Sequence, residues 1–555
     1  MKGNIVVALA LVFVLGCSKK NSNVTPPVVI ESDFIQTAIF FNGTNNGSTT
    51  FNNTNTNPTL KITFNKPVKR STAGSNILLT ESNGVAVATN TNYENGDSSL
   101  VIKPSTPLKG FTAYAISIST GLQSLSGLAL KTQVNLSIRT GIDSTDKFPV
   151  ISDNALLDLV QRQTFKYFWE FGHPVSGMAR ERNTSGDLVT TGGTGFGVMA
   201  IVTAINRNFI TRNEGLARIQ KIVSFLKNNA QTFHGAYPHW INGNTGAVIP
   251  FSAKDNGADL VETSFLIQGL LTARQYFSAP DATEIAVRND INAIYNAVEW
   301  TWFRKNNENI LYWHWSNNFL FDINLQIKGW NEALITYVLA ASSPTFPIPK
   351  VVYDNGWASN GGIRNNNFYF GHQLPLGPPL GGPLFFSHYS FLGINPNGLS
   401  DQYANYQTQV VNHTKINYEY SRANPAQHYG YSNLVWGLTA SDIPNGYSAS
   451  SPSNDLGVIA PTGALSSMPY TPVESMNALR FYYYKLGDKI WKEYGFVDAF
   501  KLGDPWFANS FLAIDQGPVI IMIENHRSGL LWNLFTSSPE VKNGMRNLGF
   551  TAPYL

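Results

Sequence analysis

Three acids stand close together in one stretch of the chain: Asp255, Asp259 and Glu262. Their spacing is i, i+4, i+7, which puts all three on one side of a helix start. Asp255-Asn256-Gly257 reads as a cap, and Asp259 as an acid in the first turn, where the helix dipole favours an anion. Glu262 lies deeper, among Val261, Phe265 and Leu266. Ionising a carboxyl on an apolar helix is costly, so the pKa of Glu262 is expected to rise, as a general acid requires. Glu332 repeats the pattern in the first turn of a later helix, between Gly329-Trp330-Asn331 and Ala333-Leu334-Ile335. The plain alternative is a capping Asp with a buried Glu satisfied by a nearby Arg. Glycosidic hydrolysis needs one protonated and one ionised carboxyl, ~5 Å apart in retaining and ~6.5–9.5 Å apart in inverting enzymes. Glu474, after Pro472, and Glu524, beside Asn525-His526-Arg527, read as structural or substrate-orienting.

Helices must position these acids, and the periodicity supplies them from about Ser152 to the C-terminus, the segment 152–555. Asn154–Phe171, Arg212–Asn229 and Thr283–Lys305 carry one apolar stripe each. Phe196–Ile205, Ala258–Phe277 and Trp330–Ala341 are apolar nearly all round. One-striped helices belong outside and all-apolar helices inside, so the alternation predicts an (α/α)6 toroid, a mainly α fold. Inner-helix starts then converge on one mouth, where Glu332 can face the other acids. Further helices are expected at Gln402–Ser421, Pro472–Leu486, Gly517–Asn525 and Pro539–Gly549.

The preceding segment, 33–143, has another period. Leu60–Phe64, Ser99–Ile102 and Tyr114–Ile118 read as strands, separated by turns such as Asn83-Gly84 and Asn95-Gly96. It resembles the bacterial immunoglobulin-like β-sandwich modules, and with no ionisable cluster it reads as a spacer. Residues 18–32 form a polar tether. Residues 1–17 read as a lipoprotein signal peptide: Lys2, an apolar run from Ile5 to Leu15, then Leu15-Gly16-Cys17, which resembles a lipobox with Cys17 as the lipidation site. The expectation is a lipid anchor at Cys17 in the bacterial outer membrane, on the periplasmic face.

Composition narrows the chemistry. Only 14% of the 555 residues are charged and the net charge is +3, so no nucleic-acid partner is expected. Cys17 is the single cysteine, which leaves no thiol for disulfides or for thiolate catalysis after processing. Aromatics make up 13%, which suits stacking on uncharged sugars as well as a large core. Candidate sugar contacts are Tyr237, His239, Trp240, Trp313, Trp315, Trp357 and Tyr369, together with Arg180, Glu181, Arg182 and Glu474. Gly195-Phe196-Gly197 to Ala200 fits G-x-G-x-x-A but follows polar loop, not a strand, which argues against a dinucleotide site. The histidines are scattered, with no acid near His234 or His239 in sequence, so neither metal nor other cofactor is expected.

Several motifs in order carry a resemblance. They are Gln163-Thr164-Phe165-Lys166-Tyr167-Phe168-Trp169, His173-Pro174-Val175-Ser176-Gly177, Ala179-Arg180-Glu181-Arg182 and Asp255-Asn256-Gly257-Ala258-Asp259-Leu260-Val261-Glu262-Thr263. Asn424-Pro425-Ala426, Trp436-Gly437-Leu438-Thr439-Ala440-Ser441-Asp442 and Ala513-Ile514-Asp515-Gln516-Gly517-Pro518 follow. From about Asp153 to the C-terminus the chain resembles the bacterial glucoamylase-like domain, and most nearly glycoside hydrolase family 144. The resemblance implies an (α/α)6 toroid and an inverting hydrolase of β-1,2-glucan or its oligosaccharides that releases sophorose. It places the important acids at Asp255, Asp259, Glu262 and Glu332. On this reading Glu262 is the general acid, Glu332 the ionised partner, and Asp255 and Asp259 hold a water or a sugar hydroxyl. A glycan-binding lipoprotein without catalysis, or a hydrolase of another glucan linkage, is the alternative.

Overall fold

The computed structural model describes residues 31–555. The segment read as a signal peptide, Cys17 and nearly all of the segment read as a tether lie outside the described residues. The chain divides into two compact units, Met1–Gly141 and Ile142–Leu555.

The first unit is a β-sandwich. One sheet orders β1 (Gln36–Phe41), β3 (Leu60–Phe64), β7 (Ser99–Pro104) and β6 (Thr89–Glu94) as β1-β3-β7-β6. The other orders β2 (Thr50–Thr54), β9 (Val134–Thr140), β8 (Ala113–Ile118), β4 (Ile77–Glu81) and β5 (Ala86–Val87) as β2-β9-β8-β4-β5, with β2 parallel to β9. β3 shows the alternation its sequence predicts, with Leu60, Ile62 and Phe64 buried in the core beside Ile116, Ile118 and Leu136. The β6–β7 turn holds Asn95 and Gly96 at φ 53° and 60°, left-handed values that Asn and Gly tolerate best.

The second unit is a ring of helices. In chain order they are α1 (Asp153–Trp169), α2 (Thr191–Asn206), α3 (Arg212–Asn228), α4 (Leu260–Tyr276), α5 (Ala282–Ala297) and α6 (Leu334–Ser342). Then come α7 (Lys350–Asn355), α8 (Tyr406–Ala423), α9 (Pro461–Leu465), α10 (Pro472–Tyr484) and α11 (Ala513–Ser528). α2, α6 and α9 are buried along almost their whole length, and α4 nearly so, which marks the inner ring. α3, α5 and α10 bury one face, as outer helices do.

The ring differs from the sequence reading in several places, among them the short helices α7 and α9, which the periodicity did not predict. An inner position is filled by two 3-10 turns, Leu384–Ser387 and Ser390–Leu392, in a Pro- and Gly-rich stretch with no helical period. The outer helix read as Thr283–Lys305 stops at Ala297, and Trp302–Arg304 forms a separate 3-10 turn. Leu530–Ser537 is an additional helix near the C-terminus.

The glycines of the G-x-G-x-x-A run are packing devices. A Cβ on Gly195 would lie 2.1 Å from the Phe265 carbonyl oxygen, and one on Gly269 2.1 Å from the Gly195 carbonyl oxygen. Without side chains at these points the backbones of α2 and α4 come into direct contact. Among the described residues no helix is long and apolar enough to cross a membrane.

Candidate active site

Asp259 is the N-cap of α4. Its Oδ1 accepts the backbone N–H groups of Val261 (3.0 Å) and Glu262 (2.9 Å). These are among the amides a helix start leaves without partners, and the cap also places the carboxylate at the positive end of the helix dipole. Its Oδ2 lies 3.1 Å from His239 Nδ1 and 3.7 Å from His314 Nε2. A short antiparallel pair, Ala258–Asp259 against His314–Trp315, sets His314 directly opposite Asp259. The cap is therefore Asp259 and not the expected Asp255-Asn256-Gly257. Asp255 precedes the helix on a tight turn, in which Phe251 N–H donates to the Asp255 carbonyl (2.9 Å) and Asp255 N–H to the Ser252 carbonyl (3.1 Å). The turn, not a continuous helical face, returns Asp255 to the cluster, 3.4 Å from His314 Nε2.

Glu262 lies one turn into α4. Its Oε2 accepts Gly192 N–H at 2.8 Å and approaches the Thr190 hydroxyl at 3.4 Å. A Cβ on Gly192 would stand 2.5 Å from that oxygen, so glycine is what permits the amide to come so close. Among the described residues no arginine bonds Glu262. Glu524, by contrast, shows how this chain satisfies a purely structural acid: Arg207 grips it at 2.6 and 3.0 Å, assisted by Asn206, Gln161 and Ser528. Glu332 occupies a turn two residues before α6, not its first helical turn, and is half-buried.

These environments separate the acids. Asp259 stays below the ordinary carboxylate range: burial opposes its charge, but His239, His314 and the amide of Glu262 outweigh it. Glu262 is raised, by burial first and by the charge of Asp259. Asp255 is pushed up to about 7 by burial and by Asp259, and Glu332 to about 7 by burial and then by Glu262 and Asp259. Burial disfavours the His239 cation, yet Glu262, Asp259 and Asp255 together raise it to about 9. His314, also buried, is lowered. The cluster thus holds a fixed anion, a fixed cation and three protonatable carboxyls. His239, Asp255 and Asp259 offer donor atoms within 4.8 Å of one another, spacing open to a cation. A protonated imidazole bonded to Asp259 accounts for the same geometry. The sequence reading left His234 and His239 without acidic partners, and the fold corrects it: His239 pairs with Asp259, and His234 with Glu299 at 2.9 Å.

A second acid group borders the same mouth. α11 begins beside α2, since a Cβ on Gly193 would meet that of Ala513 at 2.6 Å. Asp515 lies in the first turn of α11 and faces Asp498, whose Oδ2 accepts Asp442 N–H at 2.6 Å. Asp442 in turn meets Arg182 at 3.3 Å and accepts from Ser510. Burial and the neighbouring charge raise Asp515 far above the ordinary range; burial chiefly lifts Asp498, to about 7. Tyr389 lies between the groups, feeling the charges of Asp515, Glu332 and Glu262.

The remaining expected residues divide. His239, Trp240 and Trp313 line the first acid group: Trp240 packs 5.8 Å from His239, and Trp313 stacks 5.9 Å from His314. Glu181 and Arg182 form an ion pair at the second group. Tyr237, Trp315 and Trp357 are buried; the Tyr237 hydroxyl is spent on the Leu226 carbonyl, and Trp357 packs between Trp330 and Tyr337. Arg180 pins the carbonyls of Phe171 and Gly186, and Tyr369 sits on a short hairpin. Glu474 opens α10 and acts electrostatically on Tyr418, away from the acids. Sequence reasoning missed His314, Phe251, Asp498 and the acid roles of Asp442 and Asp515. Phe251 is 49% exposed, with its ring 4.3 Å from His239 and 4.7 Å from Trp240.

Residues 324–539 match the family described as "Putative glucoamylase", and residues 37–140 match the "Bacterial Ig-like domain". An endo-β-1,2-glucanase from Chitinophaga pinensis, solved with sophorotriose and glucose, is 50% identical; the match covers 73% of this chain and all of that one, with a TM-score of 0.72. The chain belongs to glycoside hydrolase family 144. A β-1,2-glucanase from Parabacteroides distasonis aligns over 93% of this chain and 72% of its own, at 37% identity and TM-score 0.70. An exo β-1,2-glucooligosaccharide sophorohydrolase acting at the non-reducing end, also from Parabacteroides distasonis, is 46% identical over 428 residues. That match takes in 73% of this chain, and the chain spans 59% of that relative's length.

Proposed function

We propose that the chain is an inverting glycoside hydrolase that cleaves β-1,2-glucan or its oligosaccharides and releases sophorose. The observation that carries this reading is the mouth itself: Asp255, Asp259, Glu262 and Glu332 meet at neighbouring inner-helix starts with their protonation states pulled apart. Pairs of carboxyls driven apart in this way mark acid and base roles. The family relatives support the linkage.

The environments redistribute the roles expected from the resemblance. Glu332 is half-buried, reaches the mouth and titrates at about 7, so it suits the proton donor better than a permanently ionised partner. Glu262, nearly closed off and bound to the Gly192 amide, stands behind it as a second raised acid. Asp259, the carboxyl of the cluster held ionised, takes the proton of the attacking water as general base, and its negative charge favours the oxocarbenium-like transition state. The deciding experiment is the product profile on linear β-1,2-glucan for the wild type, Glu332→Gln and Glu262→Gln, with the anomer followed by NMR. The reading predicts sophorose of inverted configuration from the wild type and a loss of about 10³-fold in kcat for Glu332→Gln. Absence of product from β-1,2-glucan would overturn it.

Lipidation at Cys17 and attachment to the outer membrane, on the periplasmic face, belong to the same proposal, supported by Leu15-Gly16-Cys17. Radiolabelled palmitate should enter the wild type and not Cys17→Ala.

A further inference from the structure

Two histidines and two aspartates of the first acid group point their donor atoms at one another. His239 Nδ1 lies 3.1 Å from Asp259 Oδ2, while His314 Nε2 lies 3.4 Å from Asp255 Oδ2 and 3.7 Å from Asp259 Oδ2. Donor atoms of His239, Asp255 and Asp259 all fall within 4.8 Å of one another.

We infer that His239, His314, Asp255 and Asp259 form an inhibitory Zn2+ site, in which the metal takes Asp259 out of the reaction. The site itself stands on geometry; only its inhibitory effect rests on the proposed function. Three observations point to this ion. The first is spacing. Bonds of about 2.0–2.2 Å arranged tetrahedrally set neighbouring donors about 3.3–3.6 Å apart, and the three measured separations bracket that edge. The second is donor type. Two imidazoles with two carboxylates suit Zn2+, whereas Ca2+ and Mg2+ ask for oxygen shells that two carboxylates do not supply. The third is charge in a fixed frame. The Asp255 and Asp259 side chains are only 5% and 1% exposed, and a dication cancels both negative charges at once. The amides of Val261 and Glu262 hold Asp259 Oδ1, which leaves Oδ2 for the metal, and the strand pair holds His314 opposite.

The same frame makes the metal a visitor. His314 Nδ1 has no hydrogen-bond partner among the described residues. Ligating histidines are normally fixed through that second nitrogen, and losing the outer partner costs about 10–100-fold in affinity. The His239 and His314 side chains are 23% and 14% exposed, so an ion reaches both from the mouth. The second acid group on that mouth carries two hairpins, Ala440–Ile443 with Gly446–Ala449 and Phe500–Lys501 with Trp506–Phe507. On binding, zinc displaces the His239 proton to solvent and covers Asp259 Oδ2, the oxygen that the helix cap leaves free to accept a proton from water.

The test has two arms, both on the full chain dialysed against EDTA. In the first, Zn2+ is titrated by calorimetry into the wild type, His314→Ala and His239→Ala, and Co2+ is followed by visible absorption. The site predicts a single Zn2+ per chain, the intense bands of four-coordinate Co2+, and binding weakened at least about tenfold in each variant. No binding by the wild type, a six-coordinate Co2+ spectrum, or unchanged affinity in both variants would overturn it. No substrate enters this arm, so it decides the metal site even if the wild type proves inactive on β-1,2-glucan. In the second arm, Zn2+ should stop hydrolysis of linear β-1,2-glucan and EDTA should restore it, with Mg2+ and Ca2+ without effect. The Zn2+ concentration for half-inhibition should rise at least about tenfold in His314→Ala, measured against that variant's own activity. Binding without inhibition, or an activity that requires Zn2+, overturns the inhibitory role. Should His314→Ala fail to fold by circular dichroism, His239→Ala, on a separate segment, decides both arms.

Discussion

Two groups of carboxyls flank one mouth, yet their partners divide them. The first group leans on histidines: Asp259 bonds His239 and faces His314. The second leans on an arginine: Asp442 meets Arg182, while Asp498 and Asp515 face each other behind it. Histidine can lose its proton, so the charge of the first group changes as Asp255 and Glu332 titrate at about 7 and again as His239 titrates at about 9. Arginine is permanently charged, so Asp442 has a fixed counter-ion, and the buried pair behind it must keep at least one proton. Composition alone does not say which acids a fold will ionise; the cation that the fold sets beside each one does.

The sharpest way to break this comparison is Asp259→Asn. Asn keeps the helix cap but removes the charge that holds His239. The expected result is a fall in kcat/KM of about 10²-fold or more, with the His239 pKa dropping from about 9 towards or below its ordinary value, read by NMR. A variant that keeps both the activity and the high His239 pKa would dissolve the distinction between the groups.

The matching change at the second group is Asp515→Asn. Asn mimics a carboxyl already held protonated. In the wild type the folded Asp515 retains a proton that the unfolded chain releases above about pH 4, so its raised pKa makes stability fall as pH rises. Asn does not titrate, so the variant should gain on the wild type between pH 5 and 8, by about 1 kcal/mol or more at the upper end. Urea unfolding at both pH values checks this, and a variant less stable at pH 8 would refute it.

His239 supplies a pH signature of opposite origin. Its folded pKa is raised, so its contribution to stability is complete below about 6.5 and is lost as pH passes through about 9. Wild-type Tm should decline by about 1–2 °C more over that window than the Tm of Asp259→Asn. Parallel declines would place the His239 proton elsewhere.

The smallest effect is expected at Phe251. Its exposed ring rests on His239 and Trp240, beside the turn that carries Asp255. Phe251→Ala should raise KM about threefold to tenfold with kcat nearly unchanged, as steady-state kinetics would show.

Much of the ring was legible because burial writes itself into periodicity. α4 and α6 are apolar on all sides, and the sequence reads them as inner helices for that reason. The inner position at Leu384–Leu392 left no such trace, because Pro383, Gly381 and Gly382 interrupt the period and tertiary packing alone holds the 3-10 turns. Within the site, Asp255, Asp259, Glu262 and Glu332 stood out by proximity in sequence or by position at helix starts. Helical spacing put Asp255 on the right side by the wrong route, since a turn and a strand pair bring it there. His314 enters through a cross-strand pairing, and Asp442, Asp498 and Asp515 sit on three separate elements. No local pattern encodes such meetings.

The Gly195–Gly269 crossing has a consequence for how such a protein can change over generations. α2 and α4 touch backbone to backbone there, so the amide of Gly192 and the carboxyl of Glu262 are carried on what is mechanically a single beam. The hairpins around the mouth hang from the ends of such beams without forming part of them. Insertions or exchanges in those hairpins can therefore alter which glycan fits while the spacing of the reacting groups is inherited intact. Diversification of substrate would then proceed at the rim, and a mutational scan should find the crossing intolerant of any side chain where the hairpins accept many.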